Sequence, residues 1–151
     1  MQKTDNLNMP CCFISHTWHK SQHHFAVRLA NALKERKIRV WIDENEIMPS
    51  CSIKEIIAKG IRHESDAFVF VLSPEALKSK MCKYELNLAL TQMEEAGKAI
   101  IPVFYNKCSI PKFLKNICYA DFRDPLYFNA ALERLEKAFS LPGRFGRIVK
   151  N

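Results

Sequence analysis

Ala67-Phe68-Val69-Phe70-Val71-Leu72 is an unbroken apolar run rich in valine and phenylalanine. It is too short for a core helix and shows no alternation, so it reads as a strand buried on both faces, as at the centre of a parallel sheet. Ser73-Pro74 ends it, and a helix is expected from about Ser79 to Ala96, with Gly97 as its C-terminal stop. Ala99-Ile100-Ile101-Pro102-Val103-Phe104 gives the next strand. A loop with Pro111 leads to a short strand near Tyr119 to Phe122, and Leu126 to Phe139 forms a last helix burying Leu132, Leu135 and Phe139. Working back from Ala67, Pro10 leads into the strand Cys11-Cys12-Phe13-Ile14. A helix follows from about Ser21 to Arg36, with Phe25, Leu29 and Leu33 at i, i+4, i+8. Arg39-Val40-Trp41-Ile42 is a strand closed by Asp43, and residues 44–51 form a loop with Pro49. Ser52 then caps a helix carrying Ile53, Ile56, Ile57 and Ile61, with Glu55 completing a capping box. Five strands alternating with helices predict one α/β domain with a parallel sheet over 11–140. Residues 1–10 are a polar N-terminal segment, and 141–151, with Pro142, Gly143 and Gly146, read as a tail or linker.

The 151 residues suffice for one domain with a real core, and 48% hydrophobic with 26% charged content is ordinary for a soluble protein. No apolar run approaches the roughly 18 residues that span a bilayer. No charged-then-apolar leader is visible at Met1 to Pro10. Cys11, Cys12, Cys51, Cys82, Cys108 and Cys118 show no C-x-x-C pairing and fit buried or free thiols in a reducing compartment, so a cytoplasmic location is expected. The net charge of +7 comes from basic residues scattered along the chain. Without a recognition helix, zinc-finger or RNP pattern they read as a solvated face rather than a nucleic-acid site. That face can still help attract an anionic dinucleotide or a polyanionic partner. His16, His19, His23 and His24 look like a metal cluster, and His19 and His23 at i, i+4 could share an ion. No carboxylate or cysteine completes the set, so no metal is expected.

The usual nucleotide loops are missing. Only Gly60, Gly97, Gly143 and Gly146 exist, and none lies between the first strand and first helix, which excludes a G-x-G-x-x-G loop and a P-loop. A receiver domain needs acidic residues where this chain has Ser15-His16 and Ser73-Pro74, and a flavodoxin needs a phosphate loop that Thr17-Trp18-His19-Lys20 does not supply. The chain instead resembles the Toll/interleukin-1 receptor (TIR) domain in its bacterial form, from about Cys11 to Phe139. The landmarks are Phe13-Ile14-Ser15-His16, Val40-Trp41-Ile42-Asp43, Ser50-x-Ser52 with Ile56-Ile57-x-x-Gly60-Ile61, Val69-x-Val71-Leu72-Ser73, Ser79-x-x-Cys82-x-x-Glu85-Leu86, and Ile100-Ile101-Pro102-Val103. Each is weak alone; together, in order and at the right spacing, they are strong. The resemblance implies a flavodoxin-like three-layer fold with a five-stranded parallel sheet flanked by helices.

Many TIR domains cleave NAD+ at the nicotinamide–ribose bond, releasing nicotinamide and ADP-ribose or a cyclised isomer. The resemblance places the family's catalytic glutamate at Glu85, with NAD+ as substrate and no other cofactor. A single acid suffices for this chemistry. Glycosidases need a second carboxyl group to protonate an alkoxide leaving group, whereas nicotinamide leaves neutral. A carboxylate near the ribose hydroxyls can orient the sugar and stabilise an oxocarbenium-like transition state. Near a helix N-terminus Glu85 is expected to stay ionised. The competing reading is a solvent-facing helix glutamate paired with Lys80 or Lys83.

By the same resemblance His16, Thr17, Trp18, Asp43, Ser52, Met81 and Cys82 line the substrate pocket, with Trp18 able to stack on a ring, and Asp43 and Ser52 otherwise bonding loop amides or capping a helix. The family usually has Gly at Ser50 and often Trp at Met81, a departure that implies low activity or dependence on assembly. Self-association through loop 44–51 is expected, since catalytic members commonly complete the site with a neighbour's loop. An immune or virulence effector follows. A non-catalytic TIR–TIR signalling module is the alternative.

Overall fold

The computed structural model describes residues 9–17, 20–42, 58–61, 65–110, 112 and 119–140. Five parallel strands form one sheet: β1 (Cys11–Ser15), β2 (Arg39–Ile42), β3 (Ala67–Leu72), β4 (Ala99–Phe104) and β5 (Ala120–Asp121), in the order β2-β1-β3-β4-β5. The helices are α1 (Lys20–Glu35), α2 (Pro74–Lys78), α3 (Lys80–Ala96) and α4 (Phe128–Ser140); residues 58–61 are helical as well. This is the expected flavodoxin-like α/β fold, with helices on both faces of the sheet.

Side-chain alternation divides the core into two layers. Cys12 and Ile14 of β1, Val69 and Val71 of β3, and Ile101 and Val103 of β4 pack under α1 and α4. Phe13, Phe68, Phe70, Leu72, Ile100 and Phe104 point the other way, under Cys82, Leu86 and Ala89 of α3. All six residues of β3 are buried, as its unbroken apolar run requires. Phe25, Leu29 and Leu33 of α1 and Leu132, Leu135 and Phe139 of α4 are buried as their spacing predicts. The two helices of that layer are tied by Arg36 to Glu136 at 2.9 Å, and Arg28 lies 3.9 Å above the Phe128 ring.

The structure adjusts several boundaries. Helix α1 ends at Glu35 rather than Arg36: Ile38 N–H bonds back to the Leu33 carbonyl at 3.1 Å, with Lys37 left-handed at φ 63°. Ser73-Pro74 ends β3 but also starts a helix, since the Ser73 hydroxyl accepts from Ala76 N–H at 3.0 Å with proline at the first turn of α2. Helix α3 is capped by Ser79, whose hydroxyl accepts from Cys82 N–H at 3.2 Å, and it ends at Gly97 in the left-handed conformation, φ 67°. The last helix starts later than Leu126. Pro125–Tyr127 form a 3-10 turn capped by Asp124, leaving Leu126 exposed, and α4 begins at Phe128. Of the helix expected after Ser52, residues 58–61 lie within the described part. There Gly60 meets the Trp41 indole so closely that a Cβ would sit 2.5 Å from its nitrogen.

The chain passes from β1 outward to β2, then returns past β1 to β3. Strand direction of winding therefore reverses between β1 and β3. Beyond the carboxyl ends of those two strands lies the crevice where open α/β sheets bind ligands.

Candidate active site

Four elements meet at that crevice: the end of β1, the start of α1, the β3–α2 junction and the first turns of α3. On the α1 side the polar groups are closed against one another. Gln22, fully buried in the first turn of α1, accepts from the Thr17 hydroxyl and from the Ser73 hydroxyl, the latter at 2.8 Å. Its amide N–H donates to Glu75 Oε2 at 2.7 Å. One side chain thus joins the ends of β1 and β3 to α1 and α2. His16 is buried beside this lock, its Nε2 3.1 Å from Nδ1 of His23 in α1. Burial, with the neighbouring His23 imidazole, pushes His16 down to about 4, so at neutral pH it is an uncharged imidazole.

On the other face of the sheet stands Glu85. Its side chain is 1% exposed, although Lys80 and Lys83 on the same helix lie in water. The competing reading of a solvent-facing glutamate is therefore set aside by its burial. Its direction follows from the helix geometry. Lys83, Leu86 and Asn87 line a cavity of about 410 Å³ on the flank of α3 that faces Ser109 and Ile110. Glu85 is rotated from Leu86 by about 100°, away from that cavity; α3 also packs against β1. It stands in the second turn after the Ser79 cap, beyond the first turn where a helix terminus acts most strongly.

The expected pocket residues divide by layer. Glu85 and Cys82 are buried in the α3 layer, with Met81 half-buried against it. His16 and Thr17 follow β1, as expected, but bond into α1. Trp18, Asp43, Ser52 and loop 44–51 lie outside the described residues. Cys12 and Cys108 are free thiols, and burial pushes the Cys12 thiol up. Among the described residues no three metal-ligating side chains gather, and no helix is long and apolar enough to cross a membrane. The reading from sequence passed over Gln22 and Ser15. Gln22 has its partners 51 and 53 residues away, where no local pattern announces them. Ser15 ends β1 on the layer of Glu85, and strand alternation alone could have placed it there.

Residues 12–136 match the family model of the TIR domain. The chain belongs to the TIR domain family. The fold is likewise shared with solved TIR structures. The TIR domain of the Toll-related receptor TRR-2 from Hydra magnipapillata is 21% identical at a TM-score of 0.73, covering 86% of this chain and 98% of that one. The TIR domains of the activated Roq1 resistosome, which recognises the effector XopQ, are 22% identical at 0.67, covering 85% and 98%. A TIR-STING receptor from C. gigas is 20% identical at 0.65, covering 87% of this chain and 40% of that one. In this TIR domain the two sides of the crevice beside β1 and β3 differ chemically. Its α1 side is a self-satisfied lock that fixes backbone, and its α3 side holds the buried carboxylate.

Proposed function

We propose that this TIR domain is an NAD+ glycohydrolase or ADP-ribosyl cyclase of the bacterial, NAD+-cleaving type, with Glu85 as its catalytic carboxylate. The observation that carries this reading is the burial of Glu85 in the layer between α3 and the sheet. Sinking a carboxylate there costs several kcal/mol before compensation, and a buried acid beside the crevice of an open α/β sheet is a candidate for function. The step is dissociation of the N-glycosidic bond. The bonding electrons leave with nicotinamide, which becomes neutral, and the ribose develops oxocarbenium character. Glu85 stabilises that positive charge and orients the sugar hydroxyls, then water or the adenine ring of the same molecule attacks the anomeric carbon. NAD+ is the substrate, and no cofactor is needed for this heterolysis.

Self-association is the second part of the proposal. Loop 44–51 contacts a neighbouring copy and completes the pocket, as the half-buried Met81 supplies less aromatic surface than the tryptophan usual in the family. The Roq1 domains matched here belong to an activated resistosome, which is consistent with a TIR domain acting inside an assembly. A cytoplasmic immune or virulence effector fits this chemistry. Incubation of concentrated protein with NAD+, with products identified by mass, tests the proposal. Nicotinamide with ADP-ribose identifies a hydrolase, and nicotinamide with a species lighter by one water identifies a cyclase. Intact NAD+ at every protein concentration contradicts the reading and favours the non-catalytic TIR–TIR signalling module.

A further inference from the structure

Ser15 is 1% exposed, and its hydroxyl has no hydrogen-bond partner among the described residues. The contrast with nearby polar groups is sharp, because the hydroxyls of Thr17 and Ser73 both donate to the buried Gln22. Strand register fixes where the hydroxyl points. Phe13 pairs with Phe68 and Ser15 with Phe70, and both phenylalanines of β3 lie in the α3 layer. Residues paired across parallel strands share a face, so Ser15 enters that same layer from the sheet. Glu85 enters it from α3, a helix that packs against β1. A buried hydroxyl at the carboxyl end of β1 and a buried carboxylate in the first half of α3 thus enter the same layer.

We propose that Ser15 is a substrate-contacting residue that binds a ribose hydroxyl of the dinucleotide, working beside Glu85; this rests on the NAD+-cleaving reading. The chemistry matches a vicinal diol. A carboxylate only accepts hydrogen bonds, so Glu85 accepts one from a sugar hydroxyl. A serine hydroxyl donates as well as accepts, so Ser15 donates a hydrogen bond to the oxygen of the adjacent hydroxyl. Substrate supplies the partner that Ser15 lacks, and the diol is clamped with its anomeric carbon over the carboxylate. A serine kept only for structure would bond to backbone or to a neighbouring side chain, as Ser73 and Ser79 do.

The test measures nicotinamide release and thermal stability for wild type, Ser15→Ala, Ser15→Cys and Glu85→Gln. Cysteine is close in size but a weak donor. The expected result is a fall in kcat/KM of at least about tenfold in both Ser15 variants, with Tm unchanged or raised because an unbonded polar group has been removed. The deficit should disappear with an NAD+ analogue lacking the contacted hydroxyl of the nicotinamide ribose, on which wild type and Ser15→Ala become equal. If Ser15→Ala keeps activity within about twofold while Glu85→Gln loses it, this assignment fails and the NAD+-cleaving reading stands. A parallel loss of Tm and activity assigns Ser15 to structure and also overturns it. Wild type that releases no nicotinamide removes both readings together.

Discussion

Two titratable side chains at the ends of neighbouring elements show how burial sets chemistry at single positions. Glu85 occupies a place where position in sequence alone favours a surface residue, since Lys80 and Lys83 beside it are solvated. Its candidacy was legible only through the Ser-x-x-Cys-x-x-Glu spacing; its burial was not. His16 could be read as following the first strand, but not as pairing with His23, because that contact depends on how α1 returns over the sheet. The burial of His16, with that pairing beside it, has a measurable consequence. The folded form holds His16 neutral down to about pH 4, whereas the unfolded chain takes up its proton near 6.5. Between those values the unfolded state binds more protons, so stability falls as pH falls. The contribution is complete above about 6.5, gone below about 4, and amounts to about 3 kcal/mol. Urea unfolding of wild type and His16→Gln across pH 4 to 7 should show a shallower acid loss in the variant. Parallel profiles would contradict the assignment.

At the scale of elements, the most consequential connection is the one Gln22 makes from α1. It satisfies the hydroxyls of Thr17 and Ser73 and reaches Glu75, so one side chain ties together α1, the end of β1, the end of β3 and α2. Replacing Gln22 by Leu, of similar volume, leaves those buried hydroxyls unmatched. It should lower stability by about 2–3 kcal/mol, read as a drop in the urea midpoint with an unchanged slope. A loss under about 0.5 kcal/mol would show that the lock contributes nothing. Long apolar elements such as β3 and the buried faces of α1 and α4 were legible from periodicity, because burial of a whole face imposes it. Helix α2 was not read, although Ser73-Pro74-Glu75 carries its signals: a cap, a first-turn proline and an acid. Those same residues also end a strand, and the strand-ending role was the one recognised. Pro125 acted the other way, giving a 3-10 turn where a helix was expected to begin.

At the scale of the whole molecule, five strands and their alternation with helices prescribe a parallel sheet, and the reversal of winding between β1 and β3 prescribes where its crevice lies. Most of the fold was therefore in the sequence. The site was only half there, since motif spacing nominates residues but does not say which face of the sheet each one enters. A site that requires a neighbour's loop predicts a collective dependence on concentration. Nicotinamide release per molecule should rise as protein concentration is raised, and crowding agents should steepen the rise. Constant specific activity over a wide range would instead mean that one copy is a complete enzyme. The most direct measurement of all compares wild type with Glu85→Gln, a neutral near-isostere, at the same high protein concentration and with circular dichroism on both. Removal of the carboxylate should cut nicotinamide release by at least about 100-fold in a protein that remains folded. Equal release from a folded Glu85→Gln variant would contradict the central assignment.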